Sequence, residues 1–336
     1  MKLANIGDMA QATTLRRDTV AVKNDLNRLT QELNSGQKAD LQSAFSGRFA
    51  PLAGLDRSLQ LNAGYLTSNA AATRIADGQQ TALASLQDTL MAAGPEFLKV
   101  ASGGEATQLA VTTANAGRQF EQIVGALNSR IGQQSLFAGE ATDGPALAPA
   151  RVILAALDAA LVGAVGPGAI DAAARAWFDT PGGGFETVAY VGSARARAGL
   201  DIAEGERETL AISALEPGLR DALRGLAVTA LMDRGLLAGD TPGQKELLSR
   251  MGETLVGATD KVTALRAGLG FSQERIDTAR ARSEAEATGL RQARAALVEA
   301  DPYETAMLLQ QVQAQLETIY TVTARVSGLS LAAFLR

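Results

Sequence analysis

The spacing of apolar residues near the C-terminal end constrains this chain more than any other feature. Leu309, Val312, Leu316, Ile319, Thr323 and Val326 alternate by three and four residues without a miss. That spacing lines one edge of a helix and cannot serve a strand, whose side chains alternate by two. At 1.5 Å per residue the segment predicts a rod roughly 50 Å long. The opposite end repeats the pattern. Leu15, Val22 and Leu29 stand seven apart with Leu26 and Leu33 interleaved, and Arg17, Asp18, Lys23, Asp25, Arg28 and Glu32 fill the solvated face before Asn34-Ser35-Gly36 stops the helix. A lone stripe of this length is unstable in water, because each large aliphatic side chain left exposed forfeits roughly 1.5 to 3 kcal/mol. The two stripes are therefore predicted to pair antiparallel.

Between these arms the periodicity continues and then breaks. After a loop over 36–51, Leu52, Leu55, Leu59, Leu66 and Ile75, followed by Leu83, Leu86, Leu90 and Phe97, predict a second long helix. Asn62, Asn69 and Thr73 interrupt its stripe, and Asn62 and Asn69 read either as buried amides that fix register, the favoured reading, or as points where the stripe faces water. Gly94-Pro95 predicts a kink, and Ser102-Gly103-Gly104 an end. A third helix carries Phe120, Ile123, Val124, Leu127 and Ile131 and is expected to end near Phe137. From about Gly144 glycine and proline rise and heptad spacing is lost. Residues 150–165, 170–177 and 219–231 read as helices there, and 185–191, 197–202 and 206–212 as short strands. Helical spacing resumes at about Gln244, through Leu247, Met251, Leu255, Ile276, Leu290 and Leu297, with one interruption at Asp301-Pro302. The expected fold is mainly α: a long antiparallel helical bundle or coiled coil built from both termini, with a small α+β domain inserted in the middle. Its divisions are terminal arms over 1–40 and 303–336, a helical rod over 41–143 and 244–302, and the inserted domain over 144–243.

Composition removes most catalytic readings. The chain has no histidine and no cysteine, so imidazole bases, thiolate nucleophiles, disulfides and the common zinc sites are closed to it. A net charge of -5, from 31 basic and 36 acidic residues, offers no basic stripe for a phosphate backbone, and no nucleic-acid partner is expected. The start, MKLANIGDMAQATTLRRDTV, has no apolar core with a small-residue cleavage site, so no cleaved signal peptide is expected. The stretch 152–165 contains Asp158 and is too short to span a bilayer of about 30 Å, so no membrane partner is expected either. Pro181-Gly182-Gly183-Gly184 lacks the Gly-Lys-Ser/Thr of a phosphate loop and reads as a surface turn. Glu204, Glu206 and Glu208 have no second acidic cluster and read as a solvated strand edge. Trp177 beside Phe178 reads as a core anchor. No catalytic residue, cofactor or metal is expected.

The ends also resemble a known family. The segment from Asp301-Pro302-Tyr303-Glu304-Thr305-Ala306 to Gly328-Leu329-Ser330-Leu331-Ala332-Ala333-Phe334-Leu335-Arg336 resembles the C-terminus of flagellins and hook-filament junction proteins. Leu26-Asn27-Arg28-Leu29-Thr30-Gln31-Glu32-Leu33-Asn34-Ser35-Gly36-Gln37-Lys38 resembles the N-terminal stretch of the same superfamily. Ser135-Leu136-Phe137-Ala138-Gly139-Glu140-Ala141-Thr142, followed by Pro145, and the stretch 185–192, taken as a strand, resemble segments of the junction proteins; Phe45-Ser46-Gly47-Arg48-Phe49-Ala50 departs from the family pattern. The resemblance implies a structural subunit that joins hook to filament, leaves the cell through the flagellar type III apparatus and lies in the extracellular flagellum. It implies self-association into a helical ring or tube, contact with a neighbouring hook-associated protein and with flagellin, and a cytoplasmic export chaperone. Leu15, Val22, Leu26, Leu29, Leu33, Leu309, Val312, Leu316, Ile319, Val326, Leu329, Leu331 and Leu335 are the expected assembly interface. A filament-forming flagellin is the nearest alternative, and an intracellular coiled-coil scaffold or export chaperone a more distant one.

Overall fold

The computed structural model describes the backbone of residues 2–334 and the side chains of residues 9–325, residue 11 excepted. The chain is mainly α. In order it forms α1 (Lys2–Ser35), α2 (Leu41–Ala44), α3 (Ala50–Gly103) and α4 (Ala106–Leu127), then the two-residue strands β1 (Arg130–Ile131) and β2 (Gln134–Ser135). Next come α5 (Ala150–Leu161), α6 (Pro167–Asp179), a π-helix (Phe185–Ala189), β3 (Leu200–Ala203) and β4 (Glu206–Glu208). The helices α7 (Pro217–Asp233), α8 (Thr241–Val298) and α9 (Pro302–Phe334) complete it. The strands form two separate antiparallel hairpins, β1 with β2 and β3 with β4.

Packing divides the chain into two compact units, residues 1–62 with 285–336 and residues 63–284. In the first, α1 packs along α9. Its helix ends are set by local chemistry. The Asp301 carboxylate accepts the backbone N–H groups of Tyr303 (2.8 Å) and Glu304 (3.2 Å), and Pro302 takes the first helical position, where a missing N–H costs nothing. The Asp40 carboxylate caps the short α2 through the Ser43 N–H.

The second unit holds one continuous hydrophobic core, from Ala72 on α3 through α4, α5, α6 and α7 to Ala279 on α8. Residues 218–232 of α7 are nearly all buried, which makes it the central element, with α4 packed against it. Gly225 lets α8 close on α7, since a Cβ there would press on the Leu255 side chain.

The helix α3 continues through Gly94-Pro95. Proline removes one hydrogen bond there, but Ala93 and Phe97 on either side are sealed in the core, and that burial holds the helix together. Several expectations are corrected here. The third helix stops at Leu127, not near Phe137. The Asn128 side chain turns to the backbone of Leu147, donating to its C=O (3.0 Å) and accepting its N–H (2.8 Å), and β1 and β2 follow. The stretch 185–191 is not a strand: the Tyr190 N–H donates to the Phe185 C=O (2.7 Å), closing a π turn that puts Phe185 and Ala189 together in the core. The expected helix over 150–165 ends at Leu161, leaving Val162 and Val165 exposed. Strand pairing covers only 200–203 and 206–208, less than the predicted 197–202 and 206–212.

Candidate assembly interface

The arm pair is clasped at its base by backbone hydrogen bonds. The Lys38 N–H donates to the Val298 C=O (2.9 Å) and the Ala300 N–H to the Gly36 C=O (3.0 Å), so Gln37 faces Glu299 in an antiparallel bridge. Further out, the Lys23 ammonium lies 5.7 Å from the centre of the Tyr320 ring. Residue numbers fall along α1 and rise along α9 away from the clasp, so the two helices run antiparallel, as the stripes predict.

Near the clasp Glu32 is buried. Its carboxylate accepts the Ala39 N–H (3.0 Å) and faces Arg28 at 3.3 Å. Partial desolvation opposes the charge on Arg28, but hydrogen bonds and charge from Asp25 and Glu32 outweigh it and hold the guanidinium above its usual pKa.

The seam residues are covered unequally. Val22 and Leu29 are buried, and Leu15 and Leu26 are half-buried. Leu33 is 39% exposed although it keeps the spacing. On α9, Leu309, Val312, Leu316 and Ile319 are all half-buried, and no residue from 306 to 325 is fully buried. The side chains of Val326, Leu329 and Leu331, and Leu335 altogether, lie outside the described residues.

Spacing along the seam misses a second apolar population. Met9, Val20, Tyr303, Met307, Leu308, Tyr320 and Val322 are exposed on the same two helices. At about 100° per residue, Met9 and Val20 share a face of α1 well away from Leu15 and Val22, and Tyr303 and Met307 do the same on α9. The full helical projection, rather than the heptad alone, carries that signal. A helix pair with a half-covered seam and apolar residues on its outer faces is chemically suited to pack against further helices.

The residues singled out in the second unit are structural. Trp177 meets Phe178 edge-on at 4.8 Å and lines the core. Gly184 admits the Trp177 indole where any side chain would collide with it. Glu204 is exposed, as a solvated edge requires, but Glu206 pairs with Arg282 (2.6 Å) and Glu208, almost wholly buried, with Arg275 (3.1 Å), so these two fasten the hairpin to α8. Asn69 donates to the Ile202 C=O (3.0 Å), fixing one contact of α3; in the first unit Asn62 fixes another by donating to the Glu286 carboxylate (3.1 Å). Among the described residues no helix is long and apolar enough to cross a membrane, and no cluster of acidic residues could hold a metal ion.

Residues 253–335 match the family described as the bacterial flagellin C-terminal helical region. No curated protein sequence matches the chain. Two solved structures share its fold. One, assigned as a flagellar hook-associated protein of Vibrio parahaemolyticus, aligns with a TM-score of 0.52 at 14% identity over 73% of this chain and 95% of its own. The other, FlgL of Bacillus cereus, aligns with a TM-score of 0.51 at 12% identity over 72% of this chain and 98% of its own.

Proposed function

We propose that this chain, which carries a flagellin-type C-terminal helical region on a fold shared with hook-associated proteins, is a structural subunit of the bacterial flagellum placed between hook and filament. The observation that supports this most is the antiparallel α1–α9 pair, drawn from opposite ends of the sequence, whose seam stays only half-covered. Heterologous packing of such pairs generates rings and helical tubes. The seam residues left half-covered or exposed, Leu15, Leu26 and Leu33 on α1 and Leu309 to Ile319 on α9, then bind neighbouring copies, and the assembly meets a hook-associated protein on one side and flagellin on the other. The subunit works by packing alone, needs no cofactor, and reaches the cell exterior through the flagellar export apparatus with a cytoplasmic chaperone on its α9 segment.

Deleting residues 309–336 tests the reading. The expected result is a non-motile cell with intact hooks and no filaments by electron microscopy; normal filaments overturn the proposal. Quantifying the chain in sheared flagella separates the junction from the filament itself, because a junction subunit is scarce beside flagellin. Export is checked in a strain lacking the filament cap, where the chain is expected in the culture medium.

A further inference from the structure

Residues 209–212 of the second unit follow directly on β4 but pair with no strand. Their burial alternates as along an extended chain, with Thr209 and Ala211 exposed, Leu210 buried and Ile212 half-buried. Among the described residues the backbone N–H and C=O of Leu210 and Ala211 make no hydrogen bond, and Ile212 only accepts one, from the Gln79 amide (3.2 Å). Successive residues of an extended chain turn these groups to opposite edges, so either edge of the segment offers an unpaired donor and acceptor.

This segment, the start of α7 and one face of α8 enclose a groove of about 600 Å³. All four consecutive residues, 209 to 212, line it, which side chains pointing alternately to two faces cannot do alone, so main chain forms part of the wall. Leu210, Ile212, Pro217, Ala264, Leu265 and Leu269 make the lining largely apolar. Two charged side chains interrupt it. Lys261 is already matched by Asp221 at 2.5 Å. Glu216 has neither an ion pair nor a side-chain hydrogen bond, and its oxygens stay open to solvent. Partial burial pushes its carboxyl above the usual carboxylate range, against the pull of the Arg220 charge.

Unpaired main chain, apolar walls and an unmatched carboxylate define one kind of occupant. We infer that the groove docks an extended peptide segment of a partner protein, which adds a strand to 209–212, lays apolar side chains against α8 and brings a lysine or arginine to Glu216. A helical partner has its backbone groups spent internally and would leave those of the wall unpaired. An acidic segment would meet a like charge. The contact lies wholly within the second unit and goes beyond the role of the arms.

Fluorescence anisotropy of a labelled peptide added to the full chain tests this. The probe acetyl-Val-Thr-Lys-Thr-Val-Thr-amide places both valines and the lysine on one face of a strand. It is expected to bind saturably. N-methylating alternate amides blocks one edge or the other, and one of the two methylated forms is expected to bind at least about tenfold more weakly while the other binds as the probe does. Glu216 caps α7 through its C=O, so Glu216→Gln keeps the fold; it is expected to weaken the lysine probe severalfold and leave a norleucine version unchanged. A Cβ on Gly268 meets nothing within 4 Å, so Gly268→Leu fills the groove without disturbing α8 and is expected to abolish binding. Circular dichroism checks that both variants fold. No saturable binding, loss in neither or both methylated forms, equal affinity for a glutamate version of the probe, or unchanged affinity in Gly268→Leu overturns the assignment. Sedimentation in which the unaltered chain self-associates and Gly268→Leu does not would give the groove to a second copy and overturn it as well.

Discussion

At the scale of single residues, the clearest constraint is Gly184. A methyl group there would collide with the Trp177 indole, which itself packs on Phe178 and Phe185. Gly184→Ala is expected to destabilise the second unit by about 1 to 3 kcal/mol, read as a lower urea midpoint with altered Trp177 fluorescence. Glu186 makes a pH prediction. The Gly182 N–H donates to its carboxylate, and Arg220 adds a hydrogen bond and charge, holding its pKa below the ordinary 4.5 against some desolvation. A carboxylate whose pKa is lower folded than unfolded contributes stability above about 4.5, and that contribution is lost as pH falls through the folded value. Stability measured across pH 3 to 6 should therefore fall more steeply in the natural chain than in Glu186→Gln on the acid side. Asn69 is a third case. Asn69→Ala leaves the Ile202 C=O without its partner inside the core, and a loss of about 1 to 3 kcal/mol in chemical denaturation is expected.

At the scale of elements, the arms and the interior differ in how well they are sealed. Residues 218–232 of α7 are closed off almost completely, whereas no residue from 306 to 325 of α9 is. Hydrogen exchange of the isolated chain at micromolar concentration should show α1 and α9 exchanging orders of magnitude faster than α7. Protection of both arms equal to that of α7 would contradict the half-covered seam. The same contrast explains what the sequence revealed. The long helices were legible because a buried stripe on a rod must repeat at three and four residues. Leu29 and Val22 kept that rule, and so did Leu247, Met251 and Leu255. The π-helix was not legible, because Phe185, Thr187 and Ala189 alternate as a strand would, whereas the wide turn buries Phe185 and Ala189 on one side, which only tertiary packing rewards. The end of α4 was hidden because Ile131 and Phe137 keep an apolar rhythm beyond Asn128, whose pairing with Leu147 is a tertiary event.

At the scale of the whole molecule, the second unit owns a continuous core, whereas among the described residues the first buries little more apolar surface than Val22, Leu29, Leu52, Ala287, Val298 and Ala300. A fragment of residues 63–284 is expected to melt cooperatively with the near-ultraviolet circular dichroism of Trp177 intact. A broad, non-cooperative transition would mean that the core depends on the rest of the chain. The clasp has a different consequence. Its partners, Lys38 with Val298 and Gly36 with Ala300, lie far apart in the sequence. During synthesis residues 36–38 must therefore wait for about 260 further residues to be made before their backbone finds its match.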